Sequence, residues 1–168
     1  MGVRHAGRPV LVGLTVLILL AGCGSSASPT PAAGGAATSA SPSPFYDANA
    51  NAQADIDAAV AAAKVDVRRV LIDFGANWSE DCTALAADFA SAEVQPFLDT
   101  HFRVVPVEIG NWDTNMALEK KYGGASNWMP SIAILDGSGA VLYRSDAIQG
   151  AAAMSVAEVM TYLQKWAQ

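Results

Sequence analysis

One strand that leads directly into a helix constrains the fold of this 168-residue chain more than any other feature. The run RVLIDFGA begins at Arg69, is short, apolar and rich in β-branched residues, and is closed by Gly75, so it predicts a buried strand. Beyond it, residues at helical spacing share one face of a helix that begins near Ser79: Cys82, Leu85, Ala86 and Phe89. A buried strand beside an amphipathic helix indicates a sheet covered by helices.

Helix and strand patterns continue on both sides of this unit. Ile56 and Val60 lie at helical spacing and predict a helix over about residues 50–65, while the run FRVVPVEIG predicts a second strand. Before that strand, EVQPFLDTHF continues helically. The run WDTNMALEKKYGG predicts a further helix, with Asp113 as its N-cap and the glycine pair as its end.

The last third of the chain predicts a hairpin and a helix. Two alternating runs in SIAILDGSGAVLYRS are joined by DGSG, which is typical of a hairpin. The run SVAEVMTYLQKWA predicts an amphipathic helix capped by Ser155. The element order is therefore α, βα, βα, ββα. Because right-handed crossovers make the first two strands parallel, we expect an α/β fold with a mixed four-stranded sheet and helices on both faces.

The N-terminus predicts export. Arg4 and Arg8 precede the run VLVGLTVLILLAG, which is too short for a retained membrane helix, so residues 1–22 are predicted to be a signal peptide. The run ends in LAGC, which resembles the lipobox of bacterial lipoproteins. That resemblance implies that Cys23 is lipidated and anchors the secreted protein to the membrane of a bacterial cell envelope. Cleavage near Ala21, with a free Cys23, is the alternative.

The composition changes sharply after the predicted anchor. Residues 24–44 contain only Gly, Ser, Ala, Thr and Pro, so 23–44 is predicted to be a lipidated cysteine followed by a disordered linker spanning on the order of 25 Å. Residues 45–168 are long enough and mixed enough for one folded domain. Loss of the signal peptide would leave 8 basic against 16 acidic side chains, which disfavours a nucleic-acid partner.

The order of elements and the loop after the first strand together resemble the thioredoxin superfamily. Asp73, Phe74, Ala76, Trp78 and Cys82 match the family's active-site stretch, in which Cys-x-x-Cys opens a helix, but Ser79 replaces the first cysteine. The pairs Met129-Pro130 and Tyr122-Gly123 match the family's cis-proline and the end of the preceding helix. The runs GANWSEDC, VEIGNWD and ILDGSG resemble a bacterial envelope subgroup with the motif Cys-x-Asp-Cys.

Ser79 is expected to be a helix cap rather than a nucleophile. An alkoxide is very rare at neutral pH, and the motif contains no histidine that could act as a base. As an N-cap, the hydroxyl of Ser79 would accept a backbone N–H, and Glu80 and Asp81 would match the positive end of the helix. The same two carboxylates should raise the pKa of Cys82 above that of a free thiol.

Two interpretations of Cys82 stay open. As a member of the apolar stripe it could be a buried, inert thiol. The family resemblance instead implies a reactive thiol, with Asp73 beneath the sheet assisting its proton transfers. Asp73 could also be inherited for hydrogen bonding alone. The resemblance further implies that Trp78 borders a substrate groove, with Met129 and Pro130 at its opposite edge.

Two functions follow from these interpretations. The first is one-cysteine thiol–disulfide exchange between Cys82 and client proteins or small thiols of the envelope, with an external thiol to resolve the mixed disulfide. The second is a redox-inactive module or assembly factor whose groove binds an extended peptide. Whether the protein is an enzyme depends on which applies. No cofactor is expected, and one thiol with the distant His101 is too small a set for a zinc site.

Overall fold

The computed structural model describes residues 45–124, 127–145 and 151–167. The predicted signal peptide, Cys23 and the linker lie outside these residues. Four strands form one sheet in the order β2-β1-β3-β4: β1 (Arg69–Gly75), β2 (Phe102–Glu108), β3 (Ser131–Leu135) and β4 (Val141–Arg144). In the described part of the chain no helix is long and apolar enough to cross a membrane.

The pairing of the strands agrees with the predicted mixed sheet. β1 runs parallel to β2, with Arg69 opposite Phe102, and antiparallel to β3, with Phe74 opposite Ser131. β3 and β4 are antiparallel and form the predicted hairpin. Its loop is held by the Asp136 carboxylate, which accepts the backbone N–H groups of Ser138 and Ala140. The central position of β1 places its C-terminal end, and the loop that follows, in the middle of the sheet edge.

Helices cover both faces of the sheet: α1 (Ala52–Asp66), α2 (Glu80–Phe89), α3 (Gln95–His101), α4 (Met116–Leu118) and α5 (Val156–Gln164). α1 contributes Ile56 to one buried cluster, together with Ile72 of β1. The second cluster joins Leu71 of β1 to α2, α3 and α5. Because β1 is enclosed on both sides, every residue from Val70 to Gly75 is buried.

Side-chain caps define the starts of three helices. Asn51 caps α1 by accepting the Ala54 N–H, and Ser79 caps α2 by accepting the Cys82 N–H. Ser155 caps α5 in a reciprocal capping box with Glu158. The predicted caps at Ser79 and Ser155 are therefore confirmed, and each satisfies backbone donors that the first turn of a helix leaves free.

The prediction for Asp113 is wrong. Its carboxylate accepts the N–H of Asn111 and the hydroxyl of Thr114, so it closes a turn before the helix. α4 begins only after Asn115 and passes into a π-helical turn, Glu119–Gly123. Local hydrogen bonds of an aspartate compete with capping, and here the turn takes the carboxylate.

Candidate functional site

The candidate site is built around the loop that joins β1 to α2. Ser79 is half-exposed at the end of this loop, and its Oγ accepts the Cys82 N–H at 3.4 Å. Glu80 and Asp81 occupy the first turn of α2, where carboxylates match the positive end of the helix. Asp81 also accepts the Ala152 N–H at 2.8 Å. The hydroxyl of Ser79 is thus at the surface, and it faces the first turn of the helix rather than a base.

The Cys82 thiol lies one helical turn below this surface and has no solvent exposure. Burial raises the pKa of the Cys82 thiol, because a thiolate is poorly solvated there. The Ser79 hydroxyl, the Ala76 N–H and the Tyr46 hydroxyl act in the opposite direction on this pKa, while the Asp73 charge adds to the rise. The expected rise is therefore present, but burial is its main cause rather than the neighbouring carboxylates of α2.

Asp73 is a carboxylic acid in the centre of the core. Its side chain is completely buried in β1, and burial raises its pKa to about 7. One oxygen, Oδ2, accepts a hydrogen bond from the Tyr46 hydroxyl at 2.8 Å, which limits the rise. The other oxygen, Oδ1, has no hydrogen-bond partner in the described structure. Asp73 therefore carries a free acceptor atom, and its charge acts on the nearby Cys82 thiol.

Tyr46 belongs to the site, although the sequence patterns did not single it out. Its ring and hydroxyl are fully buried, and its hydroxyl interacts with both Asp73 and Cys82. Burial raises the pKa of the Tyr46 hydroxyl far above its usual range, so it remains a hydrogen-bond donor. An aromatic pair, Phe45-Tyr46, directly after 21 residues without aromatic or charged side chains is the signal that could have identified it.

Gly75 makes room for these groups. A Cβ at this position would lie 2.5 Å from both Cζ and the hydroxyl oxygen of Tyr46, and 2.9 Å from the Cys82 sulfur. Such separations are far inside van der Waals contact, so the tyrosine and the thiol converge on the space above the glycine backbone. Gly75 was expected only to end a strand, but its missing side chain also leaves the space that Tyr46 and Cys82 occupy.

Asn77 attaches the segment that carries Tyr46 to the loop. The Tyr46 N–H donates to Asn77 Oδ1 at 3.3 Å, and Asn77 Nδ2 donates to the Tyr46 carbonyl at 2.6 Å. Asn77 Nδ2 also donates to Glu108 Oε2 at 3.2 Å. The sequence analysis missed this residue too, because its partners come from two distant parts of the chain.

The residues expected to border a groove lie at the surface or just beneath it. Trp78 is 61% exposed, and its indole N–H donates to the Gly110 carbonyl at 3.0 Å. The Met129-Pro130 peptide bond is cis, and both residues are buried. Met129 packs in the same cluster as Cys82. Trp128, immediately before the cis pair, is 60% exposed.

Of the remaining candidate residues, His101 is described and is not brought to this site. His101 packs against Phe97, with ring centroids 4.4 Å apart. Cys23 lies outside the described residues. Within the described ranges there is no group of three or more His, Cys, Asp or Glu side chains that could hold a metal ion.

Comparisons with known proteins agree with the thioredoxin-like fold. A family model described as thioredoxin-like matches residues 51–137. The crystal structure of a disulphide isomerase from Xylella fastidiosa Temecula1 is 29% identical, with a TM-score of 0.70 over 74% of this chain and 97% of that one. The solution structure of a thioredoxin from Thermus thermophilus is 18% identical, with a TM-score of 0.50 over 65% of this chain and 81% of that one, which is a likeness of fold alone. No curated protein matches the chain.

Proposed function

The chain belongs to the thioredoxin-like family, and from that premise we propose that it catalyses one-cysteine thiol–disulfide exchange at Cys82, with an external thiol as the second reactant. The observation that carries the proposal is the placement of the Asp73 carboxyl and the Cys82 thiol in one buried site, joined by the Tyr46 hydroxyl. A buried acid with a pKa of about 7 is partly ionised at neutral pH. It can therefore accept the proton that a buried thiol must lose before it reacts.

The reaction balances without any other oxidant or reductant. The Cys82 thiol gives its proton to Asp73, and the thiolate attacks one sulfur of a client disulfide. A bond forms between the Cys82 sulfur and that client sulfur, while the second client sulfur leaves as a thiolate and takes the proton from Asp73. An external thiol then attacks the client sulfur of the mixed disulfide and releases Cys82, which recovers the proton that the external thiol has lost.

Ser79 prevents a self-contained dithiol cycle. Position 79 carries the surface hydroxyl, and Cys82 is the only cysteine among the described residues. A hydroxyl does not form a bond to sulfur in exchange chemistry, so the protein holds no internal disulfide at this loop. The similarity to a disulphide isomerase supports exchange or isomerisation of client disulfides rather than net oxidation by this chain.

Alkylation of Cys82 across pH tests the exchange proposal. The measurement uses the Cys23→Ala variant, so that one thiol is counted. We expect folded protein to be modified more slowly than unfolded protein, with a rate that rises as Asp73 ionises near neutral pH. Asp73→Asn should lower the rate near pH 7 about 100-fold, which is the lower end of the range for loss of a general base. Modification that occurs only through global unfolding, judged by its dependence on denaturant, would refute exchange.

Exposed aromatic side chains favour a second candidate function, the binding of an extended polypeptide. Trp78 and Trp128 present most of their surface to solvent, whereas the Cys82 thiol presents none. If the module only binds, Trp78→Ala should weaken the affinity for an unfolded client at least tenfold, while Cys82→Ser leaves it unchanged. Leu142→Ala, which removes an exposed apolar side chain from β4, is the matched control. If Trp78→Ala and Leu142→Ala weaken the affinity equally, the groove beside Trp78 is not the binding site.

The cell envelope is the proposed location. The apolar run that ends at Cys23 and the linker of 21 small residues support a lipid anchor that holds the domain at a distance from the membrane. The proposed partners are client proteins or small thiols in that compartment. Fractionation of cells tests the anchor: Cys23→Ala should move the protein from the membrane fraction to the soluble fraction. An unchanged membrane fraction would show that Cys23 is not the anchor.

A further inference from the structure

We propose that Tyr46 is a positioning residue of the thiol site, whose hydroxyl holds the Asp73 carboxyl in place beside Cys82, and that Asn77 fixes Tyr46 to the loop between β1 and α2. This inference rests on the proposed function, since it assigns a role in the same proton transfer. It adds a third group, from outside the β1–α2 unit, to a site that otherwise comes from Asp73 and Cys82.

The hydrogen bond between Tyr46 and Asp73 decides which carboxyl oxygen is free. The Tyr46 hydroxyl donates to Oδ2 at 2.8 Å, and Oδ1 has no partner in the described structure. Because a buried polar atom is usually paired, the unpartnered Oδ1 is the atom suited to receive a proton. Without the tyrosine hydroxyl, both oxygens would be unpaired, and the carboxyl would lose the contact that fixes its orientation.

The position of the tyrosine is itself fixed from two sides. Gly75 lacks a side chain where Tyr46 and Cys82 converge, at 2.5 Å and 2.9 Å from the place a Cβ would occupy. Asn77 holds the main chain of Tyr46 through two hydrogen bonds. A side chain that only filled space would need neither the hydrogen bond to Asp73 nor an attachment to the loop between β1 and α2.

Among the described residues, titratable groups approach Tyr46 and Asp73 from four elements, and one of them is Tyr162 of α5, which interacts with the Asp73 charge. Cys82 faces Tyr46 from α2, and Asp73 faces it from β1. Glu108 of β2 approaches through Asn77, while its other oxygen accepts the Gly110 N–H at 2.9 Å. The Tyr46 hydrogen bond lowers the pKa of Asp73 and also lowers that of Cys82. Removal of the hydroxyl should therefore raise the pKa of Asp73 and the pKa of Cys82.

The test is Tyr46→Phe in the Cys23→Ala background, followed by two independent measurements. The first is the titration midpoint of the Asp73 carboxyl by carbon NMR, which does not require a reactive thiol. The second is the pH profile of Cys82 alkylation. We expect both to shift upward by about one pH unit, since a hydrogen bond to a charged group is worth roughly that much. Tyr122→Phe, which removes a hydroxyl from another tyrosine of the same buried cluster, should shift neither.

The outcomes separate this inference from the proposed function. An Asp73 midpoint that Tyr46→Phe leaves unchanged overturns the inference, whether or not Cys82 reacts. A shifted midpoint in a protein whose Cys82 never reacts while folded supports the positioning of Asp73 by Tyr46 and overturns thiol exchange. In the Asp73→Asn background, Tyr46→Phe should shift the alkylation profile less, because only the direct interaction of Tyr46 with Cys82 remains; an undiminished shift would show that Tyr46 acts independently of Asp73 and would overturn the inference.

A second variant covers the case in which Tyr46→Phe does not fold. Asn77→Ala keeps the tyrosine hydroxyl but removes its attachment to the loop. We expect a smaller upward shift of the Asp73 midpoint, because Tyr46 then occupies its position for less of the time. No shift in a folded Asn77→Ala protein would overturn the role of Asn77.

Discussion

The two sides of the loop between β1 and α2 have different chemistry. The interior side holds an acid, a thiol and a phenol, all fully buried: Asp73, Cys82 and Tyr46. The surface side holds the hydroxyl of Ser79 and the exposed indole of Trp78. The Ser79 hydroxyl therefore lies on the surface side, and the three buried ionisable groups lie beneath it.

The difference shows which side lowers the stability of the fold. Ser79 is compatible with a stable helix, since a serine N-cap pairs a backbone donor that would otherwise be free. Asp73 is unfavourable for stability, because its ionised form is desolvated and one of its oxygens is unpaired. Groups that lower stability yet share one site with a thiol are typical of functional sites rather than of packing.

The largest expected effect on the free energy of unfolding comes from Asp73→Asn, which replaces the buried carboxyl with a group that stays neutral. The folded-state pKa of about 7 lies above the ordinary value of 3.8, so the fold favours the protonated acid. The contribution of Asp73 to stability should therefore be fully present below about pH 4 and be lost as pH rises through 7. Asparagine stays neutral, so its advantage should be near zero at about pH 4 and on the order of 4 kcal/mol above pH 7.

Chemical denaturation at several pH values measures this advantage. Asp99→Asn, which makes the same change at an exposed position, is the matched control. A constant difference between Asp73→Asn and the natural protein from pH 4 to 8 would contradict the raised pKa of Asp73, and with it the contrast between the two sides.

Replacing the surface hydroxyl of Ser79 with a thiol should remove the chemical difference between the two sides of the loop. Ser79→Cys places a second sulfur one helical turn from Cys82, and we expect an internal disulfide that stabilises the fold by about 2 kcal/mol under oxidising conditions. Counting free thiols with and without a reductant, in the Cys23→Ala background, detects the bond. Ser155→Cys, at the N-cap of α5, should keep its free thiol. A folded Ser79→Cys protein with two free thiols would refute the assigned geometry.

The smallest expected effect is the loss of the surface hydroxyl. Ser79→Ala removes the acceptor for the Cys82 N–H and should lower the free energy of unfolding by about 1 kcal/mol. Ser155→Ala should cost at least as much, because it breaks both halves of a capping box. Thermal denaturation compares the two variants. A Ser79→Ala protein as stable as the natural one would show that this serine is not retained for capping.

Local patterns predicted much of this structure because they depend on near neighbours in the chain. The buried β1, the hairpin around DGSG and the caps at Ser79 and Ser155 all follow from spacing or from a side chain that bonds its own helix. Asp113 does not cap the helix because its carboxylate already accepts hydrogen bonds from two neighbours in the chain, the N–H of Asn111 and the hydroxyl of Thr114. Propensity could not decide between a cap and a turn at that position.

The amino-acid sequence by itself determined the α/β class, the position of the loop and the serine that caps the following helix, since each is a matter of periodicity or residue identity. Only the tertiary structure decided that Tyr46, 27 residues before Asp73, donates its hydroxyl to that carboxyl, and that Asn77 holds it there across 31 residues. Contacts between residues so far apart depend on how the whole sheet and its helices pack. Burial, which sets the pKa of Asp73 and Cys82, depends on the same packing.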